Sequence, residues 1–393
     1  MGYHKDHETR SAFLKVLTNI LKERSDFDSG ETGDKYYKLQ ELILDDGLEV
    51  VLTLGDITPI TEADIVAQLL VRYFEANEKT IDLLKAAIMQ EVRKTETANT
   101  LFRRNSMATK LLAAYCKLVG RDYLRVALGP QIKQIMQNPP TSELDPSKLP
   151  QNEDLHQNQK NVLEMSENIL KDIQDSIPYC PAPFRVICEF LKNVVSEKFP
   201  GSEHTAIAGF MFLRYLCPAI VAPDGYGVID SSITDKAFRR CLVLVTKVLQ
   251  NLANRVQFTK EPFMHCMNPF IEEKLSLIQN MFDTYSIVSQ DDPNPPTITF
   301  TDEQKFEDIG RIHYYLSMSK DKMIKEWSNN QDSPSEKLSS ILTQLGSPPE
   351  LPTSTKTVQV RQAAIGSDKK NLHFEKFMTR MANKNTDEIK NKD

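Results

Sequence analysis

Phe212-Leu213-Arg214-Tyr215-Leu216-Cys217-Pro218-Ala219-Ile220-Val221-Ala222-Pro223 is the stretch on which the fold turns. Just upstream and within it, Ile207, Met211, Phe212 and Tyr215 recur at helical spacing and predict one buried helix face. Pro218 is expected to end that helix and Pro223 to fix the exit, because proline lacks the N–H a helix interior needs. Arg214 lies inside the apolar run. A guanidinium taken out of water needs several acceptors, and backbone carbonyls of a neighbouring loop could supply them. Arg214 therefore reads as a structural bridge between helix ends, a role compatible with function if the bridged loop is the working one.

A second stretch, Thr100-Leu101-Phe102-Arg103-Arg104-Asn105-Ser106-Met107-Ala108, also breaks a local rule. Met107, Leu111, Leu112 and Tyr115 begin a helical stripe with Asn105 or Ser106 as its cap. Arg103 and Arg104 then stand at the positive end of the helix dipole, where cations cost stability. Leu101 and Phe102 are apolar anchors immediately before them. The pattern suggests a loop pinned at its base with guanidinium groups at its tip, either two solvated arginines or a binding or catalytic site.

Outward from these stretches, helical periodicity dominates. Ala12, Phe13, Val16, Leu17, Ile20 and Leu21 make one stripe, and Tyr37, Leu39, Leu42 and Ile43 make another, ended by Gly47. Thr61 followed by Asp64 looks like a helix start leading into Ile65, Leu69, Leu70 and Tyr73. Leu83, Leu84, Ala87, Ile88 and Val92 carry the helix before the arginine pair. Later stripes fall in residues 126–136, 163–173, 184–195, 275–282 and 309–327. Two proline-bearing polar stretches, 138–153 and 289–299, read as loops. No convincing alternating strand is found, so the fold class expected is all-α.

Composition limits the function. The chain has 393 residues, 40% hydrophobic and 26% charged, enough to bury a large core, and its net charge of −6 predicts no nucleic-acid footprint. No apolar run approaches the roughly 20 residues that cross a bilayer, and the start lacks a secretory pattern, so a cytosolic chain is expected. The six cysteines, Cys116, Cys180, Cys188, Cys217, Cys241 and Cys266, lack CxxC spacing and read as reduced core thiols. The seven histidines form no metal-ligand pattern, so no metal of the chain's own is implied.

Residues 234–254 predict a two-faced helix. Arg240, Lys247 and Asn254 recur every seven positions and stay within about 40° of one another, with Gln250 on the same side. Cys241, Leu242, Val245, Val248, Leu249 and Leu252 occupy the opposite side. The polar stripe is almost free of acids in an acidic chain, which favours a docking surface over an ordinary solvated face.

With these residues in view, the chain resembles the catalytic domain of Ras GTPase-activating proteins, most closely the neurofibromin type. The resemblance is carried by Leu101-Phe102-Arg103-Arg104-Asn105-Ser106, by Phe212-Leu213-Arg214 with Cys217-Pro218-Ala219-Ile220, and by Lys247-Val248-Leu249-Gln250-Asn251-Leu252-Ala253-Asn254. Gly2-Tyr3-His4-Lys5-Asp6 and Phe13-Leu14-Lys15-Val16-Leu17-Thr18 look similar as well. It implies that Arg103 is an arginine finger inserted into a partner's active site and that Arg214 steadies the loop carrying it. Leu101, Phe102, Arg104, Asn105, Lys247, Gln250, Asn254 and Lys260 would meet the GTPase. The implied partner is a Ras-family small GTPase in its GTP-bound state, with GTP and Mg belonging to that partner. No cofactor of the chain's own and no nucleic acid are implied, and membrane is met only indirectly, through the lipid-anchored GTPase or further targeting domains.

The resemblance also implies a central catalytic helical domain, placed here at 76–288, and an extra helical subdomain built from 1–75 and 289–328. Residues 329–393 are then a polar linker or tail with marginal helix near 374–381, and the polar termini suggest a piece of a larger protein. Three positions depart from the neurofibromin pattern: Arg104 where a small residue is usual, Cys217 for asparagine, and Val243 for lysine. Two rival readings share these features: a GTPase-binding scaffold that does not use a finger, and a helical adaptor or membrane-surface module.

Overall fold

The computed structural model describes residues 31–45, 48–102, 106–233, 235–328 and 332–350. Helices joined by turns and loops make up these residues, and no strand occurs among them. They divide into two compact units, one formed by the residues through Thr58 together with those from Phe300 onward, the other by Pro59–Thr299.

In the first unit, Asp302–Glu326 packs on Glu49–Ile57 and on Ser335–Leu345, and the last of these packs on Glu31–Ile43. Thr301 starts the long helix with a reciprocal capping box: its hydroxyl accepts from Gln304 N at 3.2 Å while Gln304 Oε1 accepts from Thr301 N at 2.9 Å. At the other end of that helix the buried Trp327 donates to Thr53 Oγ1 at 3.0 Å. The buried stripe of Glu31–Ile43 is Tyr36, Leu39, Leu42 and Ile43, whereas the expected Tyr37 faces solvent.

The second unit holds every candidate site residue. Met107–Val119 packs between Ala63–Glu75, Thr80–Lys94 and the segment Gly209–Leu216. Lys236–Asn254 packs on Leu155–Ser176, Cys217–Val221 and Asn268–Tyr285. Fully buried aromatic rings fill the space between: Phe184 meets Tyr215 edge-on at 5.1 Å and Phe210 at 5.8 Å, and Phe212 meets Phe282 at 5.7 Å.

Several expectations change. The division falls after Thr58, not after residue 75, because Ala63–Glu75 packs on Met107–Val119 and so belongs to the central unit; the second division falls before Phe300 instead of before 289. That helix begins at Ala63 without a side-chain cap, and Ile65 is exposed while Val66 is buried. The stretch after 329 is not simply a polar tail: Ser335–Leu345 is a helix whose Leu338, Ile341 and Leu342 are buried. The helix expected near 374–381 lies outside the described residues, as does everything before Glu31.

Pro218 does not end its helix. Gly209–Leu216 winds more loosely than an α-helix, with Cys217 N donating to Phe212 O five residues back, and Cys217–Val221 then continues as α-helix with Pro218 near its start. Proline is tolerated at a helix start because its missing N–H falls among groups that lack partners there anyway. The continuous helical run Glu203–Val221 spans 19 residues and is long and apolar enough to cross a membrane by length and composition, contrary to the expectation from sequence. Its apolar length is instead used in the protein interior: residues 206–212 and 215–217 are buried.

Candidate functional site

The chain reaches the arginine pair through Thr80–Lys94 and a single tight turn, Ala98–Thr100. Thr100 N and Thr100 Oγ1 both donate to Thr97 O, at 3.0 and 2.9 Å, and Leu101 N donates to Ala98 O at 3.2 Å. Leu101 and Phe102 are buried, as anchors should be. Phe102 has φ 52°, the left-handed region that a bulky side chain rarely occupies. On the far side Ser106, not Asn105, caps Met107–Val119: its hydroxyl accepts from Thr109 N at 3.4 Å, and its carbonyl accepts from Thr109 Oγ1 at 2.8 Å. Arg103, Arg104 and Asn105 lie between these flanks, outside the described residues.

Arg214 reaches the near flank. Its Nη1 donates to Gly209 O at 3.0 Å within its own helix, and its Nη2 donates to Phe102 O, the carbonyl of the peptide leading into residue 103. Burial pushes the Arg214 guanidinium below its usual value, and the nearby Glu91 opposes that shift. The bridge expected from sequence is therefore present, and the loop it bridges is the one holding the arginine pair. The supporting helix is positioned in turn by Tyr215, whose hydroxyl donates to Gly120 O. A side chain at Gly120 would meet Cys116 O at 2.6 Å and Tyr215 Cε2 at 2.7 Å, so this close approach requires glycine.

Lys236–Asn254 starts at Asp235, whose carboxylate accepts from Ala237 N at 2.7 Å and Phe238 N at 3.3 Å. Its apolar face is buried as expected, from Cys241 and Leu242 through Leu252. The polar stripe is less free than sequence suggested. Arg240 makes a bidentate pair with Glu143, Nε to Oε2 at 2.9 Å and Nη2 to Oε1 at 2.8 Å. Burial alone would raise the Glu143 carboxyl, but Arg240 and the backbone N–H groups of Asp145 and Leu144 hold it below the usual carboxylate range. Lys247 pairs with Glu261 and lies 5.9 Å from the centre of the Phe263 ring. Gln250 and Asn254 are half-buried and Lys260 is exposed. Both acids come from outside the helix, so its periodicity could not announce them.

Gly209–Leu216 packs against Met107–Val119 on one hand and Lys236–Asn254 on the other, so the Arg214 segment joins the capped helix to the polar stripe. Among the described residues no group of three or more His, Cys, Asp and Glu could hold a metal ion. Five cysteines are buried and free; Cys266 is exposed, which corrects its placement in the core. Burial pushes the Cys241 thiol up to about 12, so it stays protonated at neutral pH.

Residues 83–154 and 150–254 match the family described as GTPase-activator protein for Ras-like GTPase. The chain carries a Ras GTPase-activator domain. The matched residues of this activator domain include 101–106, Arg214, Lys247, Gln250 and Asn254. Lys260 lies just beyond them.

Relatives of the activator domain include the probable Ras GTPase-activating-like protein ngap of Dictyostelium discoideum, 33% identical over 304 residues, covering 76% of this chain and 34% of that protein. The inhibitory regulator protein IRA2 of Saccharomyces cerevisiae is 30% identical over 282 residues, 70% of this chain and 9% of that protein. Human Ras GTPase-activating protein 1 is 32% identical over 283 residues, 71% of this chain and 26% of that protein. The chain thus spans about a third or less of these relatives.

Proposed function

We propose that the chain stimulates GTP hydrolysis by a GTP-bound Ras-family GTPase, with Arg103 supplied in trans as the catalytic arginine and Ras signalling switched off as the result. The observation that carries this reading is the bond from Arg214 Nη2 to Phe102 O, one residue before Arg103. A partly buried guanidinium is spent on holding the peptide that presents a second guanidinium, which is what preorganisation of a catalytic group requires. Phosphoryl transfer spreads charge over the γ-phosphate and the leaving oxygen, and arginine's planar fork with its fixed charge matches it better than lysine's ammonium. The chain then forms no covalent intermediate and is not an enzyme by itself. It completes the active site of its partner, which contributes GTP, Mg and the glutamine that orients water.

In this reading the activator is of the neurofibromin type. Lys247, Gln250, Asn254 and Lys260, with Leu101, Phe102, Arg104 and Asn105 around the finger, receive the GTPase. The protein would work in the cytoplasm at the inner face of the membrane, brought there by its lipid-anchored partner or by targeting segments.

Single-turnover hydrolysis of GTP-loaded Ras tests the assignment. Arg103→Ala should lower the stimulated rate by about 10³-fold or more while binding stays within a few-fold, and Arg103→Lys should fail as well. That magnitude is the known worth of the arginine in the Ras and activator pair, not a figure read from this structure. A parental rate for Arg103→Ala with an inactive Arg104→Ala would move the finger by one residue. Tight binding with no acceleration by the parent chain would favour a scaffold.

A further inference from the structure

We propose that Lys198 is a positioning residue for the arginine loop, clamping the start of the segment that leads into it as Arg214 clamps the end of that segment at Phe102; the proposal rests on the assignment of Arg103 given above. Lys198 is the last residue of the helix Ala182–Lys198, yet its ammonium serves a different helix. Its Nζ donates to Val92 O at 3.0 Å, Arg93 O at 2.8 Å and Thr95 O at 2.9 Å. An ammonium has three N–H bonds, and here each has a backbone carbonyl.

Those carbonyls lie at the end of Thr80–Lys94, the helix that feeds the arginine loop. A helix C-terminus leaves its last carbonyls unpaired and carries the negative end of the dipole, so a cation there is stabilising. Two cations, Arg93 and Lys94, already occupy that last turn. Lys198 is therefore placed there against like charge, and the convergent carbonyls account for its position.

The consequence for the loop is geometric. Thr95 is buried and closes the helix by donating its N–H to Glu91 O and Val92 O. From Thr95 the chain passes the tight turn Ala98–Thr100 and reaches Phe102, whose carbonyl Arg214 holds. The start, turn and end of this lead-in segment are each tied before the chain arrives at Arg103. Release of the start leaves Arg214 as the remaining long-range polar tie described on this segment, so the loop can swing about Phe102 and the fraction of time spent in a productive geometry falls. Such a loss appears chiefly in the saturated rate, because the docking residues of the Lys236–Asn254 helix are untouched.

The experiment uses the full chain with GTP-loaded Ras under single turnover, over a range of activator concentrations. Lys198→Met should lower the saturated rate by about 10-fold with the apparent KM within about 2-fold, because Lys247, Gln250, Asn254 and Lys260 keep their places. Lys198→Arg keeps the charge and several donors and should recover at least half of the loss on a logarithmic scale. The proposal is overturned if Lys198→Met retains the parental saturated rate, if its loss lies in KM alone, or if Lys198→Arg is no better than Lys198→Met. Arg103→Ala run beside them separates the two ideas. If Arg103→Ala is inactive and Lys198→Met is parental, only the clamp fails; if Arg103→Ala is parental, the finger assignment itself fails.

Discussion

At the scale of single residues, the pairing of Arg214 with Phe102 sets the site. Phe102 in the left-handed region costs of order 1–3 kcal/mol, and a conformation of that kind persists only where its surroundings over-determine it. Here the surroundings are the burial of Leu101 and Phe102 and the guanidinium on the Phe102 carbonyl. Arg214→Ala removes the donor for two carbonyls, those of Gly209 and Phe102. It should lower stability by about 1–3 kcal/mol and reduce the saturated rate of stimulated hydrolysis, whereas Arg103→Ala, read as acting on the partner, should melt like the parent. Thermal denaturation beside single-turnover kinetics checks both halves. An Arg214→Ala protein that melts and works like the parent would falsify the supporting role. The oddity of Arg214 was legible in sequence, because a cation within an apolar helical face has to be answered. Which carbonyl answers it was not, since Phe102 stands far away in the chain and only tertiary packing brings it close.

At the scale of elements, helix faces were legible wherever a continuous apolar stripe met a core, and illegible where other elements supplied the counterpart. Lys236–Asn254 shows both. Its buried side follows from periodicity alone, but Glu143 from a loop and Glu261 beyond the helix end quench part of the polar stripe that reads as acid-free. Pro218 shows a related limit. Proline predicts a helix end, but the looser winding of Gly209–Leu216 lets the chain pass into a new helical segment with Pro218 near its start. For docking, Lys247 remains the informative position, because its side chain is 32% exposed and Glu261 is 36% exposed, so the pair can open to an acidic partner at modest cost. Lys247→Glu sets two carboxylates side by side and should raise the apparent KM for Ras-GTP by about 10-fold or more, with the saturated rate little changed. Added salt should raise the parent's KM through screening and should have a smaller effect on the mutant. A mutant with the parental KM, or one that loses only the saturated rate, would place the docking face elsewhere.

At the scale of the molecule, the all-α class was legible because stripes at helical spacing run through most of the chain while alternation is lacking. Partition into units was less so, because it depends on which helix covers which. Ala63–Glu75 carries an ordinary amphipathic stripe that would suit either unit, and only its packing on Met107–Val119 assigns it to Pro59–Thr299. Ser335–Leu345 was hidden for a different reason: three buried residues, Leu338, Ile341 and Leu342, are a weak signal amid polar and proline-rich sequence. The arginine loop, its Arg214 brace, the Lys198 clamp and the polar stripe all belong to the Pro59–Thr299 unit. That unit has its own aromatic core around Phe184, Tyr215 and Phe282, the property expected of a part able to fold alone. A fragment comprising residues 59–299 should therefore unfold as one cooperative transition and stimulate GTP hydrolysis by Ras with a saturated rate within about 3-fold of the full chain. Circular dichroism melting and single-turnover assays on fragment and full chain measure the two properties separately. A fragment that folds cooperatively yet has lost the saturated rate would show that the chemistry depends on residues before Pro59 or after Thr299, and the site drawn here would have to be extended to them.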